Sequence, residues 1–394
     1  MSNLSLQSTS PCARKASRLA LGLGLSLAIV LASMGEKAAA QSKSPYVLGA
    51  VLSLSGPVAA NGVPTKDGIE VAVKEINAAG GIDGHPIEVL FEDDQSKPDQ
   101  AVILATKLMT QSNVPLLFSA SFGSTANAVA SVANKNKVPQ LSPTAWTKAE
   151  LRILPYTFYF LADFENVVDR MLSYSTDVAK AKRIGILRLT REYGQIASES
   201  FQKLKDSHGV QIVREERGTD ADTDFTPQLT NIRSANPELV VLWFANPAGA
   251  IAIKNARQLG IKTPLIAPVS MATRPTATAG GPAAEGTIVQ SFIAPDDPLP
   301  RQKHFVEVFQ KERGKLPEVF ESVGYDMVQV AARALKSVGG DSPDREKLRA
   351  AIERTQYEGV AVILKYSDKV HEPDKSSIMF VKVQDGKFVQ APMK

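Results

Sequence analysis

The sequence predicts an α/β protein built from doubly wound, largely parallel sheets. Three observations carry the prediction. Short apolar runs suited to buried strands alternate with segments of helical periodicity, polar turns separate them at short intervals, and the alternation restarts after about residue 164. A chain of 394 residues has length for two such units at about 100 to 200 residues per domain. Its 44% apolar and 22% charged content is that of an ordinary globular core and surface.

The run 46–53 (YVLGAVLS) reads as the first strand. Ser55-Gly56-Pro57 turns it toward a helix marked by Ile69, Val71, Ala72, Val73 and Ile76, which ends at Gly80-Gly81. A second strand at 87–91 runs into the acidic corner Glu92-Asp93-Asp94, and a helix from Pro98 carries Ala101, Val102, Leu104, Ala105 and Leu108. The stretch 116–133 (LLFSASFGSTANAVASVA) organises the first half. It reads as a strand, a tight turn through 119–123, and a helix capped by Ser124 or Thr125 with Ala128, Val129 and Val132 inward. Free backbone N–H groups beside hydroxyls suit a small anion such as a carboxylate, although an ordinary βα turn explains the same residues. A fourth strand, 138–141, ends in Ser142 to Trp146.

In the second half, helices are expected at 164–179, 193–207, 225–234 and 247–259, interleaved with strands at 183–189, 210–215, 239–244 and 265–267. A strand at 286–292, helices at 301–313, 320–337 and 345–354, and strands at 361–366 and 378–383 follow, closing on the turn Asp385-Gly386. No low-complexity linker occurs, so short strand-like crossings join the two units.

The first forty residues stand apart. Arg14, Lys15 and Arg18 precede the weakly polar to apolar run 19–32, and Ala38-Ala39-Ala40 offers a cleavage site, a pattern expected of a secretory signal peptide cut near Ala40/Gln41. The run falls short of the roughly 20 residues that span a bilayer. The single cysteine, Cys12, precedes that run, so disulfides, thiolate metal sites and thiol catalysis are excluded from the mature chain. Four bases and one acid precede position 41, so the formal +4 falls to +1 beyond it, and no basic run argues for nucleic acid.

Much chemistry is missing. No mature βα turn carries GxGxxG or GxxxxGK[ST], no GxSxG elbow occurs, and His85, His208, His304 and His371 are scattered without metal-ligand spacing. No cofactor or metal is expected, and the corner at 92–94 beside Lys97 reads as solvated rather than as a cation site. What recurs is a set of polar or aromatic residues at the carboxyl ends of strands, where open α/β sheets bind ligands. These are 53–56, then Ser121, Phe122, Gly123, Ser124 and Thr125, then Thr144, Ala145 and Trp146 in the first unit. Tyr193, Trp243 to Asn246, and Val269 and Ser270 through Thr273 belong to the second. Facing one another they define a cleft for a small molecule; singly, each is scaffold.

The order of motifs resembles the periplasmic solute-binding proteins of ABC importers, of the branched-chain amino-acid-binding type. The resemblance rests on LSGP (54–57), AAGGIDG (78–84), FEDD (91–94), GSTANAVA (123–130), LSPTAW (141–146), EYG (192–194), NPELVVLWF (236–244), AAEG (283–286) and GYD (324–326). It implies the type I periplasmic-binding-protein fold. Lobe 1 would comprise 41–161 with 292–361, and lobe 2 162–291 with 362–394, the lobes closing on a ligand that a monomer delivers to a membrane permease. It further implies that Phe122 to Thr125, with backbone around Thr144 to Trp146, hold a ligand carboxylate, and that Tyr193 enters from lobe 2. No catalysis is implied.

One departure matters. Members that bind amino acids carry an acid after the strand matching 265–267, where it pairs the ligand ammonium; here the loop reads PVSMATR (268–274). Enclosing an unpaired ammonium costs several kcal/mol, so an α-amino acid is disfavoured unless Asp67 or Asp222 reaches the cleft. Phe122, Trp146, Tyr193 and Trp243, with Phe292, Phe320 or Tyr325 from the hinge side, instead favour an aromatic carboxylate such as a benzoate- or cinnamate-like acid. Core packing is the competing fate of each ring. Arg191 or Arg274 is the charge partner offered by lobe 2, or a solvent-facing arginine. The alternatives are a branched-chain amino-acid binder with a relocated acid, a ligand-sensing regulator, and a hydrolase using Ser121 or Ser124.

Overall fold

Two sheets, each fed by strand–helix alternation, account for most of the chain. The computed structural model describes residues 43–119, 121–145 and 154–392, so the expected signal peptide and Trp146 lie outside the described residues.

The first sheet is five-stranded and wholly parallel, in the order β2-β1-β3-β4-β5. Its strands are β1 (Tyr46–Leu52), β2 (Ile87–Asp93), β3 (Leu117–Ser119), β4 (Gln140–Ser142) and β5 (Thr157–Tyr159). Helices α1 (Ala59–Ala78), α2 (Pro98–Thr110) and α3 (Gly123–Lys135) are its crossovers. β1 and β3 are buried almost throughout, as a parallel strand covered on both faces requires. The sequence pattern does not mark β5. It is three residues long and follows Pro155, too short for a period to register.

The second sheet has seven strands, in the order β14-β13-β10-β9-β8-β6-β7. Strands β6 (Arg183–Leu189), β7 (Gln211–Gly218), β8 (Leu239–Trp243), β9 (Leu265–Ala267) and β10 (Ile288–Ser291) are parallel. Helices α4 (Phe164–Ser173), α5 (Glu192–Leu204), α6 (Thr226–Ser234), α7 (Ala248–Gln258) and α8 (Arg274–Ala279) accompany them. The parallel expectation fails at one edge. Asp385 and Gly386 both take positive φ, a two-residue turn of the kind that suits a hairpin, and it folds β14 (Lys387–Gln390) back antiparallel on β13 (Met379–Gln384), itself antiparallel to β10. The tail run expected at 361–366 is reduced to β12 (Ile363–Lys365), which pairs only with β11 (Gln356–Glu358) in a separate ribbon.

The remaining helices are α9 (Pro300–Arg313), α10 (Val319–Val338) and α11 (Arg345–Glu353). α10 crosses α1 through glycines: a Cβ at Gly68 would lie 1.9 Å from the Glu321 carbonyl oxygen, and one at Gly324 2.3 Å from that of Thr65. Only glycine permits the two backbones to approach that closely, and this seats α10 on the first lobe. Asp326 on α10 is fully buried and accepts from Tyr357 Oη and from the N–H groups of Val360, Ala361 and Val362. Four donors on one carboxylate fix the chain just before it passes back to the second sheet. The passages between the sheets are themselves bonded: Tyr159 N–H donates to the His371 carbonyl, and Phe160 and Leu161 N–H to the carbonyls of Ser142 and Thr144.

Candidate functional site

The carboxyl ends of β1, β2 and β3 are tied into one rigid rim. Ser53 N–H donates to Ser121 Oγ (3.0 Å), Ser53 Oγ donates to Asp94 Oδ1 (2.6 Å), and Asn61 Nδ2 donates to the Ser121 carbonyl (3.0 Å). Asp93 gathers the N–H groups of Leu54, Ser55 and Gln95 and the Ser55 hydroxyl. The acidic corner is therefore a brace at Asp94, fully buried with its carboxyl pKa pushed up by desolvation, while Glu92 and Asp93 stay partly exposed as a solvated corner. Among the described residues no group of three His, Cys, Asp or Glu is placed to hold a metal.

That rim presents the start of α3. The N-cap is Phe122 in extended conformation, so Ser124 and Thr125, expected as caps, sit instead at the second and third helical positions. The difference matters chemically. Phe122 offers no side-chain acceptor to cap the helix, and among the described residues the N–H groups of Gly123, Ser124 and Thr125 are the orphan donors that a helix start presents. Thr125 is buried, and its hydroxyl donates to the Phe122 carbonyl (2.9 Å), which leaves its oxygen as an acceptor; Ser124 is exposed. Beyond β4, the Ser142 and Thr144 hydroxyls share a 2.9 Å hydrogen bond, with Ala145 half-buried beside them. Uncapped donors at a helix N-terminus favour an anion through both hydrogen bonding and the helix dipole.

The second lobe's half is built differently. Tyr193, near the start of α5, is half-buried, and its hydroxyl lies 2.8 Å from Ser270 Oγ. Ser270 donates its own proton to the Phe244 carbonyl (2.6 Å), so Tyr193 is the donor in the pair. Burial raises the tyrosine pKa to about 12, which keeps that proton in place. Asn246 is oriented by the same logic. Its Nδ2 reaches Thr273 Oγ1 and Thr276 Oγ1 at 2.8 Å each, and Thr276 has committed its proton to the Met271 carbonyl. The amide nitrogen therefore faces the threonines, leaving Asn246 Oδ1 as an enclosed acceptor without a partner. Val269 and Ser270 are half-buried.

The aromatic lining does not assemble as expected. Trp243 is 1% exposed and packs among Phe164, Tyr193 and Phe201, a core residue that supports Tyr193 from behind. Phe292 is also core, and Tyr325 is buried with its hydroxyl donating to Glu75 Oε2. Phe122 and Phe320 are half-buried. The charged candidates are engaged too: Arg191 pairs with Asp220 at 2.7 Å, and Arg274 Nη1 with Asp296 at 2.9 Å. Asp222 accepts from Thr219, and Asp67 lies beside Arg313 and Lys315. For the hydrolase alternative, the histidines are engaged elsewhere: His85 with Tyr46 and Asp341, His208 with Asp169, His304 with Glu75, and His371 with Phe158, Glu353 and the Leu154 and Thr157 carbonyls.

One acid escaped the sequence reading. Glu318, immediately before α10, places Oε1 2.6 Å from the Arg274 N–H, on the very loop that lacks an acid of its own. It lies 44 positions from Arg274 in sequence, and nothing local signals the contact.

A family model described as "Periplasmic binding protein" matches residues 45–387. The "Leu/Ile/Val-binding protein homolog 1" of Brucella suis is 26% identical over 375 residues, covering 94% of this chain and 98% of that protein. The "Leucine-, isoleucine-, valine-, threonine-, and alanine-binding protein" of Pseudomonas aeruginosa is 23% identical over 304 residues, 75% of this chain and 80% of its own length. Among solved structures, the branched-chain amino-acid transporter binding protein LivJ of Streptococcus pneumoniae, in complex with isoleucine, superposes with a TM-score of 0.76 at 24% identity. It covers 87% of this chain and 97% of its own. The leucine-binding protein LivK of Thermotoga maritima gives a TM-score of 0.73 at 22% identity, with 88% and 97% covered.

Proposed function

Since the chain belongs to the periplasmic binding protein family, we propose that it captures a small aliphatic carboxylate of the branched-chain amino-acid class between its lobes and delivers it to an ABC permease. In this reading residues 1–40 export it, 41–161 with 292–361 form the anchoring lobe, and 162–291 with 362–394 form the closing lobe. The observation that carries the proposal is the uncapped start of α3, where the N–H groups of Gly123, Ser124 and Thr125 stand beside the Thr125 hydroxyl at the carboxyl edge of a parallel sheet. The Ser142–Thr144 hydroxyl pair at the end of β4 belongs to the same edge. A carboxylate supplies the acceptors those donors lack.

The aromatic acid favoured by the sequence gives way to the aliphatic reading on two grounds. The relatives above are named for leucine, isoleucine and valine, and three of the rings proposed to line the cleft are core. On the second lobe we assign the ligand's α-ammonium to Asn246 Oδ1, a neutral acceptor enclosed in the ligand-free protein that must be uncovered as the ligand enters, in place of the acid missing from 268–274. Thermal unfolding of the mature protein with leucine, isoleucine, valine, benzoate and cinnamate tests the reading. A ligand at a hundred times its Kd adds about 2.7 kcal/mol, so the branched-chain amino acids are expected to raise Tm clearly. Stabilisation by benzoate or cinnamate alone would overturn the assignment.

A further inference from the structure

Glu318 stands at the N-cap position of α10, yet its carboxylate does not cap that helix. The Glu318 N–H is met by Glu321 Oε2 at 3.0 Å, and Glu321 is held in turn by Lys315 at 3.0 Å. The Glu318 carboxylate points elsewhere, to the Arg274 N–H at the start of α8. The two residues belong to different lobes: α10 is seated on α1 of the first lobe by Gly68 and Gly324, whereas α8 follows β9 of the second sheet. The Arg274 side chain extends the link by pairing with Asp296, on the passage that leaves β10, and Asp296 is itself nearly buried and accepts from the Phe388 N–H of β14.

From this juxtaposition we propose that Glu318 is a latch between the lobes, a positioning residue that favours the closed form without touching the ligand. A hydrogen bond from one lobe's backbone to the other lobe's carboxylate exists only while the lobes are together. A charged acceptor makes it one of the stronger kinds. A ligand that requires the closed form binds with an affinity scaled by the closed fraction, so losing the latch weakens binding from a distance. The effect on affinity rests on the capture function proposed above; the effect on closure does not.

The described residues contain no cysteine, which allows spin labels at Ile103 on α2 and Lys254 on α7, both exposed, to report the interlobe distance. Four variants separate the atoms. Glu318→Ala removes the acceptor and Glu318→Gln keeps one. Arg274→Pro removes the N–H, and Arg274→Lys keeps it while altering the guanidinium. With leucine as probe, Glu318→Ala and Arg274→Pro are expected to shift the ligand-free distance distribution toward open. They should weaken leucine binding roughly tenfold, chiefly through faster release, while Glu318→Gln and Arg274→Lys stay within about threefold of the wild type. An unchanged distance distribution in both Glu318→Ala and Arg274→Pro overturns the latch. If leucine fails to bind the wild type, that failure counts against the amino-acid reading, and the ligand-free distances alone decide the latch.

Discussion

The two halves of the cleft handle their hydrogen bonds in opposite ways. On the first lobe the N-cap of α3, Phe122, has no side-chain acceptor, so among the described residues donors are in surplus. On the second lobe the polar groups have mostly spent themselves on one another, Tyr193 on Ser270, Ser270 on Phe244, and Asn246 Nδ2 on Thr273 and Thr276. A surplus of donors attracts an anion before anything closes. A self-satisfied surface adds shape and, enclosed behind it, the unpartnered acceptor Asn246 Oδ1. On the capture function proposed above, the first lobe would supply affinity for the carboxylate, and the second would decide which carboxylate stays.

Substitutions separate these roles by size and by kind of effect. Trp243→Ala should be the most damaging overall, removing about 3–5 kcal/mol of stability because the ring lies wholly in the second lobe's core; chemical denaturation would measure it, and the order of ligand preference should survive. Gly123→Pro strikes the first lobe alone. Proline is well tolerated at the first helical position and after an extended residue such as Phe122, yet it deletes one N–H. Calorimetry should show leucine affinity falling by about 1.5–3 kcal/mol, the range for a hydrogen bond to a charged group, with the ligand-free Tm held. Asn246→Asp tests the second lobe: an acid there should shift the ratio of leucine to 2-hydroxyisocaproate binding toward leucine by roughly tenfold, the order of a charge-assisted over a neutral hydrogen bond. Tyr193→Phe should be smallest, about 0.5–1.5 kcal/mol, since it deletes one internal hydrogen bond and keeps the ring against Phe164 and Trp243.

The sequence was most legible where a segment's fate depends on its own neighbours. Runs such as 46–52 and 183–189 are strands because unbroken apolar residues suit a covered parallel sheet, and the small residues that follow β3 give way to a helix at Gly123 as the sequence predicts. Short or edge elements were hidden: β5 spans three residues, and the antiparallel edge depends on β13 choosing β10 as its partner. The sequence places the cap of α3 two or three positions late because hydroxyl residues serve equally well inside a first turn, as Thr125 shows. Burial was the harder matter. Trp243 at a strand's carboxyl end looks like a cleft residue until its neighbours Phe164, Phe201 and Tyr193 are placed around it. Glu318 became visible only when α10 and α8 met, a contact fixed by tertiary packing alone.

Calorimetric titration with leucine and its two truncated analogues tests the central claim most directly. 4-Methylpentanoate keeps the carboxylate and lacks the amine; 3-methylbutylamine keeps the amine and lacks the carboxylate. If the uncapped donors of Gly123 to Thr125 anchor the ligand, leucine binds, 4-methylpentanoate retains measurable affinity, and the amine does not bind. Binding of the amine with loss of the acid would contradict the account.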